Sequence, residues 1–244
     1  MKRDTIDVDR KFNHMIGHRG CSGLYTENTN LSFLEGTLRS YYGLECDVHP
    51  TKDNVIVVSH DSNLKRVTGL DMYIPDYTYE ELRKIEFPVT YNGTKSKECH
   101  IVTLKEYISI CKIGHKKSII ELKDTIREED LDRILDIVKE ENYLDNVTFI
   151  SFYPGLLTKL RRMNKDLKIQ FLTSFMNDSI VDFCVQHNFS VDSDYQVMNK
   201  EYIDKFHKYN LEVNVYTVND ERIATKLIDD GIDYITTNIL EAHE

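Results

Sequence analysis

Leu44-Glu45-Cys46-Asp47-Val48, entered through Gly43, is an apolar run interrupted by two carboxylates two positions apart. As a short buried strand it places Glu45 and Asp47 side by side, because residues i and i+2 of a strand share a face. Two neighbouring anions in a barrel interior repel each other and are costly to desolvate unless a cation sits between them. An exposed edge strand with an accidental acidic pair would carry the same letters, so the neighbouring segments must decide.

They favour burial. Ser118-Ile119-Ile120-Glu121-Leu122-Lys123 repeats the pattern, with Glu121 and Lys123 on one face after a strongly apolar run. Glu45, Asp47 and Glu121 offer all-oxygen ligation, suited to a hard cation such as Mg²⁺ or Ca²⁺. Lys123 adds a point charge for a phosphate oxygen. His18 (in His18-Arg19-Gly20) closes Met15-Ile16-Gly17, and His60 (in His60-Asp61) closes Val55-Ile56-Val57-Val58-Ser59. An imidazole near its ordinary pKa gives or takes a proton at neutral pH, so the pair could act as base and acid across a phosphate. Two imidazoles, an arginine and a carboxylate pair are the set needed for metal-assisted attack on a phosphate. His14, His49, His100, His115, His187, His207 and His243 have no such setting and read as structural or surface residues. Cys21 lies near the site, but no spacing makes it a nucleophile.

Further out, short apolar strands are expected at Met15–His18, Leu44–Val48, Ser118–Leu122, Asn146–Ile150, Leu167–Leu172, Phe189–Val191, Leu211–Tyr216 and Asp233–Thr236. Amphipathic helical patterns separate most of them, as at Leu131–Val138. Asn219 before Asp220-Glu221-Arg222 reads as an N-cap, and Asp230-Gly231 as that helix's end. Eight strands alternating with helices predict an α/β fold, a (β/α)₈ TIM barrel, with functional groups at the C-terminal strand ends. His18, Glu45, Asp47, Glu121 and Lys123 fall at or near such ends. The 244 residues read as a single domain. About 61–102 reads as an insertion after strand two, because it is too long for an ordinary βα loop. It carries turns at Thr68-Gly69, Ile74-Pro75-Asp76 and Asn92-Gly93, and a helical segment at Tyr79–Ile85. Lying over the barrel mouth, it would shape substrate choice.

A net charge of −10 opposes loose binding to nucleic acid or an anionic membrane. No apolar run approaches membrane-spanning length, so no integral membrane segment is expected. Met1 to Phe12 is charged throughout and lacks the apolar core of a signal peptide. Cys21, Cys46, Cys99, Cys111 and Cys184 are scattered without a C-x-x-C pair, which fits reduced thiols in the cytoplasm.

The motifs resemble those of the glycerophosphodiester phosphodiesterases. The likeness runs through His18-Arg19-Gly20, Glu27-Asn28-Thr29, Glu45-Cys46-Asp47-Val48 and Val57-Val58-Ser59-His60-Asp61, with Leu64-Lys65-Arg66-Val67-Thr68-Gly69 after it. It continues in order through Ile120-Glu121-Leu122-Lys123, Ser151-Phe152, Val215-Tyr216-Thr217-Val218-Asn219 and Gly231-Ile232-Asp233-Tyr234-Ile235-Thr236-Thr237-Asn238. The resemblance implies a metal-dependent barrel enzyme of lipid and glycerol metabolism. It would hydrolyse small glycerophosphodiesters to sn-glycerol 3-phosphate and an alcohol. By the same resemblance Glu45, Asp47 and Glu121 hold one divalent cation, Mg²⁺ or Ca²⁺, and His18 and His60 are the acid–base pair. Arg19 and Lys123 contact the phosphate, and Tyr216 takes the place of an aromatic lining the substrate pocket.

Two positions depart from the family pattern. Thr26 replaces a proline before Glu27, and Thr237-Asn238-Ile239-Leu240 replaces a Thr-Asp followed by proline. Few residues follow Asn238 for an eighth helix, so the N-terminal segment is expected to cover that end of the barrel. The alternatives are a lysophospholipase D-like or sphingomyelinase D-like enzyme on larger lipids, a non-catalytic barrel that binds a phosphate ester, and an unrelated metal-dependent hydrolase.

Overall fold

The computed structural model describes residues 4–91 and 93–243. Met1 to Arg3, and Asn92 of the expected Asn92-Gly93 turn, lie outside the described residues. Eight parallel strands form the barrel: β1 (Met15–Gly17), β2 (Gly43–Pro50), β3 (Lys117–Leu122), β4 (Val147–Ser151), β5 (Lys168–Thr173), β6 (Ser190–Asp194), β7 (Val213–Tyr216) and β8 (Tyr234–Thr237). Each pairs with the next, and β8 closes on β1 through Ile235↔Met15, Thr236↔Ile16 and Thr237↔Gly17. All eight expected strands are present, with ends shifted by at most a few residues.

Seven helices, α1 (Asn30–Thr37), α2 (Leu104–Ile113), α3 (Glu128–Glu140), α4 (Pro154–Met163), α5 (Asp178–His187), α6 (Lys200–His207) and α7 (Glu221–Asp229), pack outside the strands. Short polar residues start several of them. Thr103, Asn177 and Asn199 each accept a backbone N–H of the first turn, satisfying one of the helix's orphan donors. At α7 the cap is Asp220, not the expected Asn219, and the Asp220 carboxylate accepts from the Arg222 and Ile223 N–H groups. Asn219 is drawn away because its Oδ1 accepts from the Asn238 N–H and from Thr237 Oγ1.

The main core lies between strands and helices. A smaller one inside the barrel consists of Ile16, Ile119, Ile150 and Leu172, with Tyr216 and Tyr234 against it. This apolar plug makes the barrel floor a packed layer and leaves polar chemistry to the mouth.

Beyond β2 the chain doubles back. Ile56–Val58 pairs antiparallel with the end of β2 through Val48↔Val58, His49↔Val57 and Pro50↔Ile56. The Ser59 N–H then donates to the Asp47 carbonyl at 2.9 Å, which delivers His60 to the barrel mouth. The following residues build a satellite core from Val57, Leu64, Ile74, Leu82, Phe87, Cys99 and Ile101. The helical segment expected at Tyr79–Ile85 is a single turn, Tyr79–Leu82.

After β8 the chain continues as an extended strand, Leu240–His243, paired parallel with Ile6–Lys11. Arg10 pairs with Asp229 at the end of α7, and Glu241 accepts from the Ser40 N–H and hydroxyl beyond α1. The strand pair therefore fills the flank between α7 and α1, where an eighth helix would lie.

Candidate active site

Register brings the carboxylates together. Asp47 of β2 and Glu121 of β3 are direct partners in the parallel ladder, and Glu45 lies two residues back on the same face. All three are buried, and one oxygen from each lies within 4.8 Å of the others. Their environment is built for negative charge. The Arg19 N–H donates to Glu45 Oε2 at 2.8 Å, Asn28 Nδ2 donates to Asp47 Oδ2 at 2.8 Å, and Arg19 Nε stands 3.5 Å from Asp47 Oδ2. Arg19 and Asn28 both have positive φ, which turns the chain tightly enough for these bonds.

Lys123 sits inside this cluster, its Nζ 2.8 Å from Glu121 Oε1 and 2.9 Å from Asp47 Oδ1. Asp47 Oδ1 accepts no well-directed hydrogen bond even so. Burial opposes ionisation of Asp47, but Lys123 and Arg19 outweigh it and hold the carboxyl well below its usual range. Glu45 is driven upward by burial and by Asp47 and Glu121. Glu121 is pushed up to about 8 by burial and Asp47. Three buried carboxylates, one with an unsatisfied oxygen and two reluctant to ionise, fit a hard divalent cation in their donor set and in their charge deficit.

The imidazoles flank the cluster. His18 Nδ1 is 2.7 Å from Asn238 Oδ1, while its Nε2 is 4.0 Å from Glu45 Oε2. An amide oxygen only accepts, so Nδ1 carries the proton and Nε2 keeps a free lone pair. Burial, helped by Arg19, lowers the His18 pKa to about 4. His60 Nδ1 is 2.6 Å from Asp61 Oδ1, and burial lowers its pKa as well, against the raising effect of Asp47 and Asp61. His49, buried below, bonds the Thr125 hydroxyl and the His60 carbonyl and so supports the turn without entering the site. A cleft of about 580 Å³ opens beside His60, lined by Asp61, Ser62, Asn63, Lys65, Arg66 and Asp124.

Arg19 turns its guanidinium to Glu27, with NH1 2.8 Å from Oε1. Tyr216, half-buried at the end of β7, donates to the Thr173 carbonyl at 3.1 Å and meets Phe152 edge-on at 6.1 Å. Phe152, Tyr153 and Phe175 are exposed around it. His18, Arg19, Asp47, Glu121, Lys123 and Tyr216 thus lie toward or just beyond the C-terminal ends of barrel strands, Glu45 sits one pleat deeper in β2, and His60 arrives from the hairpin after β2.

Sequence reasoning gives no role to five partners, Glu27, Asn28, Asp61, Arg66 and Asn238. All five stand in the segments that carry the family resemblance, which is the signal the sequence offers for them. Asn238 lies 220 residues from His18, and nothing in the sequence joins the two. Thr26 contributes something that a proline could not, because its N–H donates to the Val89 carbonyl and ties this turn to the segment after His60.

Comparison with known proteins agrees with this architecture. The model of the glycerophosphoryl diester phosphodiesterase family matches residues 18–242. A glycerophosphodiester phosphodiesterase of Caldanaerobacter subterraneus subsp. tengcongensis is 33% identical over 165 residues, covering 65% of this chain and 65% of that protein. The crystal structure of the Thermotoga maritima glycerophosphodiester phosphodiesterase is 30% identical, with a TM-score of 0.78 over 94% of this chain and 96% of that one. An Oleispira antarctica phosphodiesterase, solved in complex with the product sn-glycerol-3-phosphate, shares the fold at 22% identity, with a TM-score of 0.84 over 93% of each chain.

Proposed function

The chain belongs to the glycerophosphoryl diester phosphodiesterase family, and we propose that it hydrolyses small glycerophosphodiesters to sn-glycerol 3-phosphate and an alcohol. The observation that carries this reading is that two imidazoles, each with its Nδ1 partnered, stand beside one buried carboxylate triad at the barrel mouth.

Glu45, Asp47 and Glu121 would hold one divalent cation, Mg²⁺ or Ca²⁺. When bound, such an ion supplies Lewis-acid polarisation of a phosphoryl oxygen. Arg19 and Lys123 provide the remaining positive charge for the phosphate, Lys123 by turning from its carboxylate partners toward an equatorial oxygen. We assign His18 as the base. Its partner is a neutral amide, it is uncharged at neutral pH, and its Nε2 can take the proton of the attacking oxygen. His60, whose partner is the Asp61 carboxylate, is the better stabilised as imidazolium and would protonate the leaving alkoxide. Tyr216, with Phe152 against it, would line the pocket for the alcohol. Residues 61–102 shape substrate choice in this reading, since Asp61, Ser62, Asn63, Lys65 and Arg66 line the cleft beside His60. The five described cysteines are all unpaired and buried, which supports a reducing compartment such as the cytoplasm.

A second reading, cleavage of lysophospholipids, draws on the exposed Phe152, Tyr153 and Phe175, which could rest against an acyl chain. One assay separates the two. The protein is incubated with glycerophosphocholine, glycerophosphoethanolamine, glycerophosphoglycerol, glycerophosphoinositol or lysophosphatidylcholine, with Mg²⁺, Ca²⁺ or excess chelator. We expect metal-dependent release of sn-glycerol 3-phosphate from at least one of the four small diesters, lost reversibly in chelator. Turnover of lysophosphatidylcholine alone would favour the second reading, and full activity in chelator would remove the metal from the mechanism.

A further inference from the structure

We infer that Arg66 is a positioning residue for both halves of the active site, orienting His60 through Asp61 and Arg19 through Glu27. The inference rests on the assignment of His60 and Arg19 made above.

The contacts run in one unbroken line. Arg66 Nε donates to Asp61 Oδ2 at 2.6 Å, and Asp61 Oδ1 is the partner of His60 Nδ1, also at 2.6 Å. The other side of the same guanidinium grips Glu27, NH1 on Oε2 at 2.9 Å and NH2 on Oε1 at 2.7 Å. Glu27 Oε1 in turn accepts from Arg19 NH1 at 2.8 Å. The Tyr91 hydroxyl, 3.1 Å from Arg66 NH1, closes the outer side.

Arg66 thus uses its planar fork in two directions, toward a carboxylate that fixes an imidazole and toward one that fixes an arginine. Lysine has one point of charge and no fork, so it cannot reproduce both. Burial would raise the pKa of Glu27 and Asp61, yet both are held below the usual carboxylate range, with Arg66 the largest opposing influence on each. Both therefore stay ionised acceptors. Without Arg66 the partly exposed Asp61 carboxylate would lose the donor that fixes its Oδ2, and the acceptor that selects the Nδ1–H tautomer of His60 would be held less firmly. Arg66 comes from the short helix Lys65–Thr68, held in the satellite core by Leu64, so the placement of His60 and Arg19 depends on that segment docking correctly.

The test uses the full chain with Arg66→Ala, Arg66→Lys, Asp61→Asn and, as control, the exposed Lys84→Ala. Three quantities are read: kcat and KM on a glycerophosphodiester that the parent cleaves, recovery on adding millimolar guanidinium, and the ¹⁵N shifts of His60 at fixed pH. We expect Arg66→Ala to lower kcat about 10²-fold, the scale for displacing a catalytic group by about 1 Å, and to raise KM by less. Guanidinium should restore part of the kcat of Arg66→Ala and none of that of Asp61→Asn. At a pH where the ring is neutral, the parent His60 should be the Nδ1–H tautomer, and both Arg66→Ala and Asp61→Asn should mix in the Nε2–H form, with Arg66→Lys between them and the parent. A kcat within about threefold of the parent, or a loss of activity without guanidinium rescue and with unchanged His60 shifts, would overturn the inference. If Arg66→Ala fails to fold, Arg66→Lys and Asp61→Asn answer the same question. If the parent cleaves no diester, the proposed function falls, and the His60 shifts still decide whether Arg66 positions that ring.

Discussion

The two histidines have partners of different charge, and in the proposed mechanism that difference divides their work. Asn238 Oδ1 holds His18 Nδ1 at 2.7 Å without adding charge, so burial prevails and the ring stays neutral down to about pH 4. Introducing a carboxylate there by Asn238→Asp would place an anion in direct contact with the ring and raise its pKa by roughly 1–3 units. A base works only when deprotonated, so kcat/KM falls as pH drops through its pKa, and a raised pKa moves that acidic limb to higher pH. We expect the acidic limb of the kcat/KM–pH profile of Asn238→Asp to lie at least about one unit above the parent's. An unmoved limb would take the base role away from His18. This pairing is not legible in the sequence: Asn238 ends a motif that resembles the family's and departs from its Thr-Asp, but nothing in the 220 residues between the partners joins it to His18.

At the scale of elements, period was informative and direction was not. The eight barrel strands were legible because an apolar run of strand length flanked by helical patterns has few other readings, and the pairing of Glu45 with Asp47 followed from the i, i+2 rule, whereas Glu121 joins them through the β2–β3 register. The hairpin that delivers His60 was not. Val55 to Ser59 reads as apolar and extended, but whether it runs with or against β2 depends on the turn at Thr51 to Asn54, where Asn54 takes a positive φ. The cap of α7 was misplaced by one residue because Asn219 and Asp220 are both good caps, and the competing claim of Asn238 on Asn219 is a tertiary fact. The strand pair Ile6–Lys11 and Leu240–His243 gives a test at this scale. Val8 is its buried anchor, 5% exposed. Val8→Ala should destabilise the fold by about 1–3 kcal/mol, the range for removing most of a buried valine side chain. The pair packs on the flank between α7 and α1, so kcat should not change. Chemical denaturation and steady-state kinetics would check both halves, and a folded variant with kcat reduced tenfold would show that the flank reaches the mouth.

For the whole molecule, the carboxylate triad sets stability against function. Glu45, Asp47 and Glu121 occupy a buried layer where Lys123 and the Arg19 side chain supply positive charge close by. Glu121, pushed up to about 8 in the fold, has an ordinary value near 4.5 in the unfolded chain. Between those two values Glu121 binds more protons in the native state than in the unfolded state, so its own contribution to metal-free stability is greatest below the lower one. It declines as pH climbs through the upper one and levels off beyond it. In the proposed mechanism a divalent cation would reverse the balance, because it would bind the ionised triad of the native state and stabilise it by mass action, about 2.7 kcal/mol at a hundredfold excess over Kd. For a chain of this size that is a rise of roughly 5–11 °C in Tm. We therefore expect the parent's Tm in chelator to fall relative to that of Glu121→Gln from pH 5 to pH 8, and the increment from Mg²⁺ or Ca²⁺ to grow over the same interval. Glu121→Gln keeps the shape and removes the charge. Its Tm in chelator should equal or exceed the parent's at pH 8, its pH dependence should flatten, and its metal increment should shrink to a small fraction, together with its turnover. Thermal scans of both proteins, with and without metal at the two pH values, decide the matter. A metal increment in Glu121→Gln as large as the parent's would mean that the ion binds elsewhere, and that the triad is buried for some reason other than holding a cation.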